Sequence, residues 1–152
     1  MKDHEVAEWL IIADKDTHSA FLLNDGNEKE NAYYFCTQAV EKYLKCYLIA
    51  NDAPINYNHH ISETLKKCAT IDSSFNEIFS ECSKMASTVY KLRYPKRLSI
   101  TDNYIKDGFD LIEKVKNLKP IKDLYNKLIE KYGSNWADVL FETVVAIETD
   151  AS

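Results

Sequence analysis

Glycine and proline are scarce, with three of each in 152 residues. A β-sandwich or barrel needs a turn residue about every 8–12 positions, so this scarcity argues against any loop-rich β fold. No apolar run approaches the ~18 residues of a membrane span, and no cysteine pair has Cys-x-x-Cys spacing. The four cysteines are Cys36, Cys46, Cys68 and Cys82. They are expected to be reduced, buried thiols rather than zinc ligands or disulfide partners. There is no Gly-rich phosphate loop, no serine elbow and no paired-carboxylate constellation. His59 and His60 are adjacent, so they cannot share one helical face as a metal pair at i, i+4 would. Neither a metal nor a cofactor is therefore expected. The charged opening MKDHEVAEW has no leader pattern, which makes a cytoplasmic protein without a membrane contact the expectation.

The composition is that of one globular domain: 45% hydrophobic, 28% charged and 12% aromatic, with ten tyrosines. The net charge of −5 argues against a general nucleic-acid coat protein. The few breakers divide the chain into helix-sized pieces. Val6, Trp9, Leu10, Ala13, Thr17, Ala20 and Phe21 recur at helical spacing over residues 4–24, and Asn24-Asp25-Gly26-Asn27 reads as a stop and turn. Asn27 with Glu30 reads as a cap for the next helix. In that helix, residues 28–51, Ala32, Cys36, Ala39, Val40, Tyr43 and Tyr47 form the apolar face. Tyr34, Gln38, Glu41 and Lys45 lie opposite, with Lys42 beside them.

A short helix is expected over residues 61–69. Ser74-x-x-Glu77 reads as a capping box for a fourth helix running to about Leu92, with Phe75, Ile78, Phe79, Cys82, Met85, Ala86 and Val89 inward. Ser99-x-x-Asp102 opens a fifth, in which Gly108 signals close packing of another backbone. Pro120 suits the first turn of a sixth. Trp136, Leu140, Val144 and Ile147 fit a final helix, with a strand as the rival reading because Thr143, Val144, Val145 and Ile147 are β-branched. These pieces predict an all-α fold: an up-and-down four-helix bundle with a short additional helix over residues 1–119. Residues 120–152 are expected to form a C-terminal helical extension packed on the same domain.

The segment from Tyr33 to Lys45, containing Gln38-Ala39-Val40-Glu41-Lys42-Tyr43-Leu44-Lys45, resembles the second-helix signature of HEPN domains, an aromatic followed by Q-A-x-E-K-x-x-K. Trp9 and Ala13 match that family's opening W-x-x-x-A helix. His59, followed by Ile61 and Leu65, resembles its H-x-L-x-x-L segment, with His60 where an aspartate is usual. Arg93-Tyr94-Pro95 matches the R-Y-P that ends its fourth helix. The resemblance covers roughly residues 6–118 and implies a helical bundle that is commonly a homodimer. It also implies one of three roles: a ribonuclease toxin, a partner of a minimal nucleotidyltransferase, or a non-catalytic binding module. The ribonuclease branch carries R-x(4–6)-H, whose histidine moves the proton while the arginine faces the phosphate. Here Leu98, Ser99 and Ile100 stand at that spacing after Arg93, and Asp102, Asn103 and Tyr104 after Arg97. No histidine follows His60.

Two groups of residues are candidates for a nucleotide-binding site. Gln38, Lys42 and Lys45 form either a salt-bridged face or a polar groove meeting a phosphate. The stretch Ser83–Thr101 holds Lys84, Lys91, Arg93, Lys96 and Arg97 and no acid, leaving ten more acids than bases in the rest of the chain. Tyr90 and Tyr94 supply stacking surfaces beside those cations. The alternative is a basic helix end complementing its own dipole. His59 and His60 are expected to cap the short helix, and Tyr125, Tyr132 and Trp136 to pack. The expectation is therefore a non-catalytic nucleotide- or partner-binding module, acting beside a nucleotidyltransferase-like protein in a toxin–antitoxin or stress pair. The alternatives are a divergent endoribonuclease using Arg93 or Arg97, and a helical dimerisation scaffold without a ligand.

Overall fold

A computed structural model of the chain describes residues 2–55, 60–92 and 99–141. All regular secondary structure among these residues is helical. The helices are α1 (Asp3–Asp25), α2 (Lys29–Ala50), α3 (Ile61–Ile71), α4 (Phe79–Leu92), α5 (Asp102–Asn117) and α6 (Lys119–Tyr132). Residues 136–141 are again helical. No described helix is long and apolar enough to cross a membrane.

Helix α2 is the hub. Its apolar positions bury as their spacing predicts, and its contacts reach α1, α3, α4, α5 and α6, most extensively α1. Thirteen of its 22 residues are buried, including Cys36, Val40, Tyr43 and Leu48. Tyr43 and Phe75 are the two largest fully buried side chains, and Phe75 packs on Tyr47 with centroids 4.8 Å apart. Each such side chain stabilises the fold by about 1.5–3 kcal/mol relative to its exposed state.

The sequence misplaces several helix ends. Asn27, read as the cap of α2, instead carries the turn in the left-handed region at φ 61°. Asparagine tolerates this conformation, so the adjacent Gly26 is free to remain at φ −82°. The N-cap of α2 is Glu28, with no side-chain cap bond. The capping box at Ser74 does not form either. Residues Ser73–Ile78 are a 3₁₀ helix whose cap is Asp72, its carboxylate accepting from the Ser74 backbone N–H at 3.0 Å. The polar groups of Ser74, its side chain first and this backbone N–H second, lower the Asp72 carboxyl from the usual pKa range. Helix α4 begins only at Phe79, which is partly exposed rather than inward. The N-cap of α5 is Thr101, not Ser99.

Gly108 brings α5 close to α2, but against a side chain rather than a backbone. A Cβ at this position would lie 3.2 Å from Cys36 Sγ. Phe21 is half exposed, yet it stacks on Phe109 of α5 with centroids 4.2 Å apart. Pro120 occupies the first turn of α6 as its missing N–H predicts. The final helix is described only to Phe141, and its expected residues from Thr143 to Ile147 lie outside the described residues.

Candidate functional site

The polar residues of α2 are drawn into the bundle. Lys42 forms a short ion pair with Asp16 of α1, which is itself buried. Lys45 is only 6% exposed and donates to Glu41 at 2.7 Å. The expected outward stripe is therefore corrected at Lys45, since α2 is enclosed by neighbours on more sides than its apolar spacing suggested. Gln38 is half-buried. Both motif lysines are engaged by carboxylates of the chain itself. Removing one partner from such a partly desolvated pair costs about 1–3 kcal/mol.

The second candidate group lies on α4 and just beyond it. Lys84 bonds Asp107 of α5 at 3.1 Å and lies over the Tyr104 ring, so its charge is already compensated. Lys91 is exposed and forms no ion pair among the described residues. Arg93, Tyr94, Lys96 and Arg97, together with Tyr57 and His59, lie outside the described residues.

A groove between α3 and α4 ends at this point in the chain. It has a volume of about 380 Å³, with Ala86 and Val89 among the apolar residues of its lining. Ser62, Glu63 and Lys66 contribute from α3, and Ser87 and Tyr90 from α4. Tyr90 is 57% exposed, and Lys66 forms no ion pair among the described residues. Lys66 was not singled out from the sequence. Its place in the same groove as Tyr90 depends on α3 packing against α4, which no local pattern encodes. His60, at the groove's edge, is the N-cap residue of α3 but makes no side-chain cap bond. Its carbonyl accepts from the backbone N–H groups of Glu63 and Thr64, both at 3.1 Å, and from Thr64 Oγ1 at 3.2 Å.

A smaller cavity of about 240 Å³ between α4 and α5 is lined by Tyr33, Tyr104, Lys84, Lys114, Glu81 and Asp107, among others. Its lysines are matched by its carboxylates, with Lys114 3.8 Å from Glu81.

None of the four thiols is set up as a nucleophile. Burial pushes the thiols of Cys36, Cys68 and Cys82 up to about 12, and Cys46 rises further still. They stay protonated at neutral pH and are poor nucleophiles. Cys46 and Cys68 donate to the carbonyls of Val6 and Leu44, both at 3.4 Å. All four thiols are free and buried, as composition predicted. No group of three or more acidic, histidine or cysteine side chains among the described residues has metal-holding geometry. His4, His18 and His60 are exposed.

The HEPN domain family model matches residues 6–124. This chain belongs to the HEPN family. The match runs from the first turn of α1 into α6, so this HEPN domain contains the α2 motif, the α3/α4 groove and the cation-rich stretch. No curated protein and no solved structure shows significant similarity to the chain.

Proposed function

We propose that this HEPN domain is a non-catalytic module that binds a nucleotide or RNA through its phosphates, in the α3/α4 groove and along the cation-rich stretch that follows. The observation that carries this reading is one juxtaposition. An exposed tyrosine, Tyr90, and a lysine without an ion pair among the described residues, Lys66, line one groove at the end of α4, together with Ala86, Val89 and Glu63. Aromatic faces stack bases, and unpaired cations attract phosphate. The chain continues from Tyr90 into Lys91, Arg93, Lys96 and Arg97 without an acid. Arg93 belongs to the R-Y-P motif, and its planar fork suits a phosphate.

The non-catalytic part of the reading rests on the sequence. The four histidines stand at positions 4, 18, 59 and 60, and none has the R-x(4–6)-H spacing that proton transfer in the ribonuclease branch uses. By family resemblance, the module works as a homodimer beside a nucleotidyltransferase-like partner, in a toxin–antitoxin or stress pair.

The test is an equilibrium titration of the full chain with nucleotides and a labelled RNA oligomer, with the RNA analysed for breakage afterwards. Binding with intact RNA, weakened about tenfold or more by Lys66→Ala and by Tyr90→Ala, is expected. Absence of binding to any of them would leave a scaffold role. Cleaved RNA would replace the reading with the divergent endoribonuclease.

A further inference from the structure

Helix α6 is held by a short apolar row and by polar bonds to α1. Only one residue, Leu118, separates it from α5, in extended conformation at φ −63° and ψ 137°. Its buried residues form a single narrow row: Pro120, Ile121, Leu124 and Leu128. Its contacts with α1, α2 and α5 are far sparser than those between α1 and α2.

Polar bonds to two carboxylates of α1 supply the rest. Near the middle of α6, Tyr125 donates to Asp14 at 3.0 Å. The same Asp14 oxygen accepts from Tyr43 of α2 and pairs with Lys116 of α5 at 3.4 Å. At the far end, Lys131 and Tyr132 both donate to Asp3, at 2.7 and 2.5 Å. These two bonds are the main cause that lowers the Asp3 pKa. Past the Gly133 turn, Trp136 folds back edge-on to Tyr125, with centroids 6.1 Å apart.

We propose that α6 and the turn to Trp136 form a strap that opens as one unit about Leu118 and is latched closed on Asp3 and Asp14. Segments with few buried apolar contacts open at lower free energy than the core, and they do so cooperatively. A narrow apolar row closed by polar bonds has that character, whereas α2, enclosed by α1, α3, α4, α5 and α6, has the opposite. Opening bares the face of α2 that carries Tyr47 and Ala50, which line a cavity of about 280 Å³ together with Pro120 and Leu124. It also takes from Asp14 one of its two phenol donors. The strap is therefore a conformational device on the side of the bundle that meets α6, independent of what the α3/α4 groove binds.

Amide hydrogen exchange on the full chain at neutral pH tests this. Amides from Leu124 to Tyr132 are expected to exchange together, at least about tenfold faster than those of Val40 to Leu44. Asp3→Asn should accelerate the α6 amides about five- to tenfold and leave the α2 amides unchanged, as for a lost charge-assisted bond. Tyr132→Phe, which removes one of the two donors, should act in the same direction by less. A single common exchange rate for α6 and α2 in the wild-type chain would overturn the proposal, and so would an equal acceleration of both by Asp3→Asn. If Asp3→Asn does not fold, the wild-type comparison and Tyr132→Phe still decide it.

Discussion

Gly108→Ala sets two opposing effects against each other. In an exposed helix, alanine is favoured over glycine by about 0.8–1 kcal/mol. Here the added methyl would lie 3.2 Å from Cys36 Sγ, 3.3 Å from Cys36 Cβ and 3.6 Å from Tyr33 Cδ2. The sulfur can rotate, but Cys36 Cβ is fixed to the backbone of α2, the most enclosed helix, and Cys36 is completely buried. Relief therefore requires α5 to move away from α2 by a few tenths of an ångström. Overpacking of this kind costs about 1–3 kcal/mol. Subtracting the propensity gain leaves a net destabilisation of about 1 kcal/mol, which lowers the melting temperature by about 2–4 °C in a chain of this size. Urea denaturation of Gly108→Ala, Cys36→Ala and the double variant measures both effects. Because removing the sulfur relieves part of the clash, the two substitutions should couple by about 0.5–1 kcal/mol. If Gly108→Ala stabilises the protein and the two changes add independently, the close approach of α5 to α2 is wrong.

Four further outcomes follow from the described contacts. Lys42→Ala leaves the buried Asp16 carboxylate without its partner and should destabilise the fold by about 1–3 kcal/mol, read from the urea midpoint, with little change in nucleotide affinity. The thiols of Cys36, Cys68 and Cys82 and the Tyr33 phenol are raised to about 12 by burial, so their neutral forms are the native ones. Stability from these groups is complete below the ordinary thiol range near pH 9 and is lost as pH rises toward 12, so the melting temperature should fall across that window. In the same native state a thiol-specific reagent at pH 8 should react slowly, and in denaturant with all four cysteines. Asp3 and Asp72 are lowered, chiefly by the bonds from Lys131 and from Ser74, so their contribution is present above pH 4 and fades only under stronger acid. Acid titration of Asp3→Asn should lack its share of that loss.

Much of the bundle was legible because α2 encodes it twice, in apolar spacing and in motif. Ala32, Cys36, Ala39, Val40, Tyr43 and Tyr47 recur at the helical period, and the structure buries all six. Lys45 was misread for a physical reason: helical periodicity gives one inward face, but a hub helix has several, and only tertiary packing reveals the others. Ser74 was misread because two polar residues competed to cap the same segment. Asp72, two positions ahead of the amide it caps, won, and Ser74 Oγ is left buried without a partner among the described residues. The α3/α4 groove was only half legible. Tyr90 and the cations after it stood out as an acid-free run, whereas Lys66 comes from a helix more than 20 positions earlier and lines the same groove as Tyr90 only through packing. Asp3 and Asp14 looked like ordinary acids of an acidic chain. Their partners on α6 lie more than 100 residues away.

The salt dependence of ligand binding tests the central claim most directly. A module that holds phosphates with Lys66, Lys91, Arg93, Lys96 and Arg97 releases counterions when it binds, so affinity for an RNA oligomer should fall about tenfold or more between 50 and 200 mM salt. Replacing Arg93 with alanine should flatten that slope by about one contact and weaken binding by about 1.5–3 kcal/mol, with the melting temperature unchanged. If Arg93→Ala instead leaves affinity and slope intact and lowers the melting temperature, the arginine is a structural tie and the phosphate-binding account is contradicted.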